Sequence, residues 1–302
     1  MKMLKRESIP IVETRKIHLV VPAAVFTLAL LFILVNFILG NGMFNYDVAF
    51  VGGTSIRLDF REDVNQDHIA AIVMDVTGEI ARIQTVNQAS ELQIRMRSID
   101  SYTRIELIAS FMDAYPLVDE AGIEILDVSA TVSGEMQRTA VIAVLSALGI
   151  MFIYIAARFR DVNIGLSTII NLLVNTLVLI GFYAIARVPL NESFIIVILT
   201  VLGYSINNTI IIFDRLRENR RLMPKADITE LINKSVAQSL TRTTYATVST
   251  AFVVVCLLIF GVATIREFAA PILFGILFGT YSSLSFAACV MYGLVTRKTK
   301  TA

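Results

Sequence analysis

The most informative stretch of this sequence is Gly203-Tyr-Ser-Ile-Asn-Asn-Thr-Ile-Ile-Ile-Phe-Asp-Arg-Leu-Arg-Glu-Asn219. It begins as an apolar segment, carries Asn207, Asn208 and Thr209 in its interior, and ends in charged residues. A polar amide at membrane depth is unfavourable unless another group forms a hydrogen bond with it. The stretch therefore predicts a membrane helix whose amides meet a second buried surface.

The composition supports a membrane protein. Of the 302 residues, 56% are hydrophobic and 17% are charged, which is too apolar for an ordinary soluble domain. Runs without Asp, Glu, Lys or Arg come close to or exceed the roughly 20 residues that span a bilayer core. They predict six transmembrane helices, in Leu19–Tyr46, Thr139–Ala157, Val162–Ala186, Ser193–Phe213, Thr243–Ile265 and Phe268–Thr296. The first run is longer than the core of a signal peptide, so we expect an uncleaved helix.

Charge is distributed unevenly, although the formal net charge is only +1. The segment Asp47–Glu135 contains 16 acidic and six basic residues, a net charge of −10, and has no lysine. Basic residues are concentrated near both termini and in 215–242. Because cytoplasmic loops carry an excess of Lys and Arg, we expect both termini in the cytoplasm and the acidic segment outside.

The acidic segment alternates between strand and helix patterns. Alternating apolar and polar residues predict strands at 55–60, 82–86, 91–97 and 123–129. Helical spacing predicts helices at 65–78, with Asp67 as its cap, and at 102–115. Asn87-Gln-Ala-Ser90 is expected to close a hairpin between the middle strands. The order βαββαβ is typical of a ferredoxin-like α+β domain.

These patterns predict a membrane six-helix all-α bundle with an inserted extracytoplasmic α+β domain. The expected parts are a cytoplasmic N-terminus with helix one (1–42), the extracytoplasmic domain (43–135), helices two to four (136–214), a cytoplasmic basic amphipathic linker (215–242), and helices five and six with a cytoplasmic tail (243–302). In the linker, Asp227-Ile-Thr-Glu230 predicts a capping box before a helix. That helix either lies along the inner membrane face or is a solvated connector.

Amides inside the predicted spans are the first candidate functional residues. Asn171 and Asn175 are four residues apart in helix three and so share a face. Asn207, Asn208 and Thr209 occupy the inner half of helix four. Amides on facing helices form hydrogen bonds worth about 1 kcal/mol each. Such amides either shape a polar path or only pack the helices together.

Helix five adds further candidates. Thr243 and Thr247 lie on one face, where threonines either bond to their own backbone or join a polar path. Arg242, at the inner end, either reaches lipid phosphates or pairs with a carboxylate of a partner. The residues at the inner end of helix four are expected to form an interfacial salt-bridged collar rather than a transport site: Asp214, Arg215, Arg217 and Glu218.

The sequence argues against several classes of function. It has no phosphate-binding Walker loop, which excludes an ATP-driven motor. The charge-free runs exclude the paired carboxylates of an intramembrane protease, and no Ser/His pair falls inside them. Cys256 and Cys289 both lie in predicted spans and suggest no disulfide framework. We therefore expect neither enzymatic activity nor a cofactor, metal or nucleic-acid partner.

Several motifs resemble the SecD/SecF protein-export family of the RND superfamily, and its SecF members in particular. Phe50-Val-Gly-Gly-Thr54 is similar to the family's Asp-Phe-Thr-Gly-Gly-Thr after helix one. The most specific match is the opening stretch, which includes Gly203, Tyr204 and Asn219. In the Gly-Gly-Thr motif the matched residues are Gly52, Gly53 and Thr54. Weaker matches are Val128–Met136, Arg242-Thr243 and Gly279-Thr-Tyr-Ser-Ser283.

The resemblance implies one RND/SecDF-type half, which assists Sec-dependent export of unfolded polypeptides across the bacterial cytoplasmic membrane with an ion gradient. The implied partners are SecD, the SecYEG channel, YajC, YidC, the exported polypeptide and the lipid bilayer. Two alternatives stay open. In the first alternative, the chain is a passive scaffold of the translocase. In the second, it is an RND-type half-transporter that works as a homo-oligomer.

The chain departs from the family pattern at three acidic positions. Ala49 replaces the family's acidic residue before the Gly-Gly-Thr motif, and Asn175 replaces its acidic residue in helix three. Asn208 replaces the Asp of the family's Asn-Asp-Thr in helix four. An amide cannot take up a proton near neutral pH, whereas a buried carboxylate can. The chain therefore lacks its own intramembrane proton carrier, and we expect SecD to supply the titrating carboxylate.

Overall fold

The computed structural model describes residues 8–40, 42–61, 64–85, 90–116, 123–159 and 161–301, without the side chains of residues 263 and 298–301. In chain order, the elements of this part are α1 (Arg15–Ile38), α2 (Val48–Val51), β1 (Gly53–Asp59), α3 (Gln66–Thr77), β2 (Arg82–Thr85), β3 (Glu91–Met96), α4 (Ser101–Ala114), β4 (Glu124–Val128), α5 (Ala130–Phe159), α6 (Val162–Ala186), α7 (Ser193–Leu222), α8 (Ile228–Phe260), α9 (Ala263–Leu284) and α10 (Phe286–Thr301). They form two compact units. A helical unit contains the residues up to Asn45, Ile142–Val188 and the chain from Ser193 onward, and a mixed unit contains Tyr46–Val141 and Pro189–Glu192.

Six helical spans among the described residues are long and apolar enough to cross a membrane, as predicted. Helices α1, α5, α6, α7 and α8 form one span each, and α9 with α10 forms the sixth over Thr264–Arg297. Large apolar side chains remain exposed on these spans, such as Ile150 on α5 and Phe260 on α8. An apolar outer surface is what a helix bundle presents to lipid.

Two spans extend well beyond the predicted apolar runs. Helix α5 begins at Ala130 instead of Thr139, and α7 continues through charged residues to Leu222. Hydropathy marks the part of a helix that fits the bilayer, whereas a helix ends where the backbone is interrupted. For α7 that interruption is Pro224, which disfavours helical conformation in the residue before it.

The segment 215–242 is therefore not the separate linker that the sequence predicts. Its first part completes α7, and its second part begins α8, which runs unbroken into the fifth span. The cap of α8 is predicted correctly: Asp227 accepts a hydrogen bond of 3.1 Å from the backbone N–H of Thr229. Because α8 is continuous, the chain makes no turn between the second part of this segment and the fifth span.

The apolar face of the first turns of α8 packs on protein. Leu231, Ile232 and Val236 are buried in a core cluster that includes Phe213 on α7 and Phe159 on α5. Neither the membrane-surface helix nor the solvated connector describes this arrangement. Both interpretations were wrong because the sequence pattern does not identify the neighbour of an apolar face.

The mixed unit contains one antiparallel sheet with the strand order β2-β3-β1-β4. Ile56 on β1 pairs with Ile94 on β3 and with Ile125 on β4. The predicted order of strands and helices is observed. Helices α3 and α4 cover the sheet over a buried core of Ile56, Leu58, Ile69, Val73, Leu92, Ile94, Leu107 and Phe111.

Two details of this unit differ from the sequence expectations or fall outside them. Asn65, not Asp67, caps α3, because the Asn65 side chain accepts a hydrogen bond of 2.9 Å from the N–H of Asp67. Residues 87–89 of the expected turn Asn87–Ser90, and Val86 at the end of the strand predicted before it, lie outside the described part. The strands on either side, β2 and β3, pair as the hairpin requires.

Candidate functional site

A buried polar network joins α6, α7 and α9 inside the helical unit. The Asn171 side chain on α6 donates to Thr209 Oγ1 on α7 at 3.4 Å and to Ser283 Oγ on α9 at 3.3 Å. Ser282 Oγ donates in return to Asn171 Oδ1. Thr209 Oγ1 lies 3.0 Å from Ser283 Oγ, and both hydroxyls contact the backbone carbonyl of Ser205. Three helices are thus joined by hydrogen bonds at one level of the bundle.

A second set of contacts extends the network to α8. Asn208 on α7 donates a hydrogen bond of 3.1 Å to Thr280 Oγ1 on α9. Thr280 Oγ1 lies 2.9 Å from Thr247 Oγ1 on α8, which accepts a 3.1 Å hydrogen bond from the Tyr204 hydroxyl. We define the polar network by its members: Asn171, Asn175, Tyr204, Ser205, Asn208, Thr209, Thr243, Thr247, Thr280, Ser282 and Ser283.

Several atoms of the polar network have no hydrogen-bond partner among the described residues. They are both amide atoms of Asn175, Ser205 Oγ, Asn208 Oδ1 and Thr243 Oγ1. A buried polar atom without a partner costs about 1–3 kcal/mol, and buried water commonly supplies the missing bond. The network can therefore form additional hydrogen bonds, as donor or acceptor, with water or with the shell of a hydrated ion.

Close packing of α7 and α9 brings these atoms together. A Cβ added at Gly279 on α9 would overlap Ser205 Oγ on α7 and lie 3.7 Å from Asn175 Nδ2. Gly275, one turn earlier on α9, faces Val201 in the same way. The small residues of α9 allow this close helix approach.

The amides of α7 are not equivalent. Asn208 and Thr209 are fully buried within this chain, whereas Asn207 and Gly203 are exposed. The expectation that these polar residues meet a second buried surface is confirmed for Asn208 and Thr209, which bond to α9 of the same chain. Of the two amides in the apolar run of α7, Asn208 is buried among the described residues and Asn207 is not.

Two candidate residues on α8, Thr247 and Arg242, have different environments. Thr247 donates to the Thr243 backbone carbonyl at 2.8 Å, as the first interpretation expects, and its hydroxyl also lies 2.9 Å from Thr280 Oγ1 on α9. Arg242 is exposed, and the described residues give it no ion pair. Its environment is compatible with lipid phosphate and with a carboxylate of a partner.

Two ion pairs of the expected collar are present at the end of α7, whereas Arg217 has no carboxylate partner among the described residues. Arg158 on α5 forms a 3.1 Å ion pair with Asp214, and Arg215 pairs with Glu218. Asn219 is buried and donates hydrogen bonds of 2.8 Å to side chains of α8, to Ser235 Oγ and Gln238 Oε1. The motif residues here fasten α7 to neighbouring helices.

The Gly-Gly-Thr motif forms a tight joint in the mixed unit. Gly52 and Gly53 have φ angles of 79° and 127°, and a Cβ at Gly53 would overlap the carbonyl oxygen of Met96. Thr54 Oγ1 donates to Asp127 Oδ1 at 3.2 Å and accepts from the N–H of Ile99. The motif therefore serves the entry of the chain into β1 rather than chemistry.

The chemistry available at the polar network is limited to hydrogen bonding. Its members contribute amides, aliphatic hydroxyls and one phenol, and none is a carboxylate or a base. No group of three or more His, Cys, Asp or Glu side chains among the described residues could hold a metal ion. The sequence patterns indicate the amides, whereas Thr280, Ser282 and Ser283 were named only as part of the Gly279–Ser283 match to the family. Their spacing in a charge-free run was the available signal.

Comparisons with known proteins show which family has this sequence and fold. The family model described as "Protein export membrane protein SecD/SecF, C-terminal" matches residues 112–297. This chain belongs to the SecD/SecF family. The match includes α5 to α9 and therefore the whole polar network.

Relatives named as SecF align over most of the chain. Protein translocase subunit SecF of Dictyoglomus turgidum is 34% identical over 269 residues, 87% of this chain and 91% of the relative. The subunit of the same name from Haemophilus influenzae is 30% identical, over 95% of this chain and 86% of the relative.

A solved structure supports the family fold. The crystal structure of SecDF from Thermus thermophilus, described as a translocon-associated membrane protein, superposes with a TM-score of 0.81 at 30% identity. The superposition covers 92% of this chain but only 38% of that chain. This chain thus corresponds to one portion of the longer SecDF polypeptide.

Proposed function

We propose that this chain is a SecF-type subunit that assists Sec-dependent translocation of unfolded proteins across the bacterial cytoplasmic membrane. Support comes from the SecF names of its relatives and from alignment over nearly their full length. By the same family relationship its partners are a SecD-type subunit and the SecYEG channel, with YajC and YidC as accessory partners. The charge asymmetry supports cytoplasmic termini and an extracytoplasmic mixed unit.

The observation that carries the proposal is the buried polar network of α6 to α9, four of whose residues keep atoms without a hydrogen-bond partner among the described residues. Hydrogen-bonding groups at membrane depth mark ion pathways, but amides and hydroxyls do not change charge near neutral pH. In this proposal an ion gradient drives translocation, and a SecD-type partner supplies the carboxylate that binds and releases the ion. Asn175, Asn208 and Thr243 orient water on that path through their unpartnered atoms.

The exposed amide provides the contact with the partner. Asn207 lies in an apolar run on α7, where lipid offers no hydrogen bond. A polar or charged side chain of a SecD-type helix satisfies it, and Arg242 on α8 pairs with a carboxylate of the same partner. This assignment makes the chain one half of a larger assembly.

The mixed unit contacts the emerging polypeptide on the outer side of the membrane. Its βαββαβ order and antiparallel β2-β3-β1-β4 sheet support a ferredoxin-like domain. We assign this contact with the emerging polypeptide to a domain that comprises residues 43–135.

A second candidate, a passive scaffold for SecD or for the channel, is favoured by the same absence of a carboxylate among the described network residues. The two candidates differ in one respect. In an energy-coupled subunit the network affects the gradient dependence of translocation, whereas in a scaffold it affects only stability.

The test compares the natural chain with Asn208→Asp and Asn208→Leu variants in inverted membrane vesicles. Translocation of a Sec substrate is measured with and without a proton gradient. We expect Asn208→Leu to reduce the gradient-dependent part, and Asn208→Asp to change its pH dependence, because a buried carboxyl titrates at raised pKa. Thr250→Val is the matched control, because the Thr250 hydroxyl bonds only to its own helix among the described residues. Equal gradient dependence in all versions excludes a coupling role and leaves the scaffold.

A further inference from the structure

A basic cleft opens between the ends of α5 and α7. Its volume is about 420 Å³, and it is lined by Arg158, Asp214, Arg217, Glu218, Arg221 and Leu222. The four charged residues from α7 recur at positions 214, 217, 218 and 221, the spacing of a single helix face. The cleft lies within the helical unit.

The ion pairs around the cleft leave positive charge unmatched. Asp214 pairs with Arg158 at 3.1 Å, and Glu218 pairs with Arg215 on its own helix. Arg217 donates only a long 3.4 Å hydrogen bond to the backbone carbonyl of Arg158. Neither Arg217 nor Arg221 has a carboxylate partner among the described residues. Two guanidinium groups are therefore available for an anion in one recess.

The inner part of the cleft lies at the depth of the phosphate layer of a bilayer. The apolar run of α7 ends at Phe213, and at about 1.5 Å per residue Arg217 lies about 6 Å beyond it and Arg221 about 12 Å, so Arg221 meets a phosphate from the solvent side. The headgroup layer of a bilayer occupies roughly the first of these distances outside the hydrocarbon core. A guanidinium group at this level meets lipid phosphates before it meets bulk solvent.

The surface on the membrane side of the cleft is apolar. Tyr154 on α5, one turn before Arg158, is half exposed, and Ile150 and Ile153 are 67% and 68% exposed. Leu222, at the rim of the cleft, is exposed as well. A phosphate held by arginines next to an exposed apolar helix face is the combination that a phospholipid satisfies.

We propose that this cleft binds the phosphate headgroup of an anionic phospholipid, with Arg217 and Arg221 as its ligands and the acyl chains along α5. Arginine suits the site because its planar fork donates two parallel hydrogen bonds to phosphate oxygens. An anionic lipid is favoured over a zwitterionic one because it brings no positive group to oppose the two unmatched guanidinium groups. The site lies apart from the polar network and does not depend on its role in translocation.

The test uses the full chain, purified and reconstituted in mixed vesicles of phosphatidylglycerol and phosphatidylcholine. Lipids that remain bound after mild extraction are counted by native mass spectrometry. We expect enrichment of phosphatidylglycerol on the natural chain, and a roughly tenfold or greater loss of enrichment in the double variant Arg217→Gln, Arg221→Gln. An Arg217→Lys, Arg221→Lys variant keeps the charge and retains part of the enrichment.

The matched control is Arg220→Gln, because Arg220 lies on the same turn of α7 but pairs with Asp161 at 3.5 Å and does not line the cleft. It should retain phosphatidylglycerol like the natural chain. Excess inorganic phosphate should displace little lipid, because the acyl chains along α5 contribute to binding. The proposal is overturned if the natural chain shows no enrichment, if Arg220→Gln loses as much as the double variant, or if inorganic phosphate displaces all bound lipid.

Discussion

Asn207 and Asn208 are adjacent in the chain but lie on different faces of α7, so that Asn208 is fully buried against α9 and Asn207 is exposed. The pair separates two roles that a sequence motif merges. One amide stabilises the fold of this chain, and the other is available to a second polypeptide.

Replacement of these two amides should therefore have different effects on stability. Asn208→Ala removes the donor to Thr280 and leaves a cavity, and we expect a loss of about 1–3 kcal/mol. Asn207→Ala should change the stability of the isolated chain by no more than about 0.5 kcal/mol. Unfolding in detergent micelles, followed by circular dichroism, measures both. Equal losses would contradict the separation of roles.

Gly279 controls the approach of α9 to α7. Gly279→Ala introduces a methyl group that overlaps Ser205 Oγ, and we expect destabilisation of about 1–3 kcal/mol. Gly293→Ala on α10 is the control, because nothing lies within 4 Å of its added Cβ. Combination with Ser205→Ala should recover part of the loss, since it removes the overlapping atom. Thermal unfolding of the natural chain and the three variants measures these effects, and an unchanged midpoint for Gly279→Ala would refute the close contact.

The Gly-Gly-Thr joint should be sensitive to any side chain at its second position. Gly53 has a φ of 127° and faces the Met96 carbonyl, so Gly53→Ala combines backbone strain with overlap. We expect a loss of more than about 1 kcal/mol, detected as faster limited proteolysis of the mixed unit. Gly134→Ala in α5 has open space around it and serves as the control. Equal proteolysis of the two variants would argue against a structural role for the motif.

The cap of α8 predicts a pH effect. Hydrogen bonds from the side chain and backbone of Thr229 lower the pKa of Asp227 from its ordinary value of 3.8. Because the folded-state pKa is lowered, this stabilisation is present above the unfolded-state pKa and is lost as the pH falls through the folded-state value. Asp227→Asn retains a cap without titration, so its unfolding midpoint should fall less between neutral pH and pH values below about 4. Parallel pH profiles for the two chains would contradict this prediction.

The six spans and the strand order could be predicted because each depends on a local pattern. Charge-free runs give the spans directly, and alternation gives the strands around Ile56 and Ile94. The ends of α7 and α8 were missed because a helix continues beyond the bilayer until the backbone interrupts it. Hydropathy contains no information about that interruption.

The site was predicted in part for a similar reason. Amides in an apolar run are conspicuous, so Asn171 and Asn208 were identified. The packing of α9 against α7 decides which face of α7 is buried. It also decides that Thr280 and Ser283 accept hydrogen bonds from these amides. Such tertiary contacts between distant parts of the chain are not encoded in local spacing.

Photo-cross-linking at position 207 in native membranes tests most directly whether a second polypeptide covers this face of α7. A photoreactive amino acid replaces Asn207, and a matched control carries it at Leu145, an exposed position on α5. We predict that position 207 captures a SecD-type polypeptide, identified by mass spectrometry, and that position 145 captures it far less. Capture of lipid alone at position 207, with the subunit still supporting translocation, would contradict the claim that this chain is half of a larger assembly.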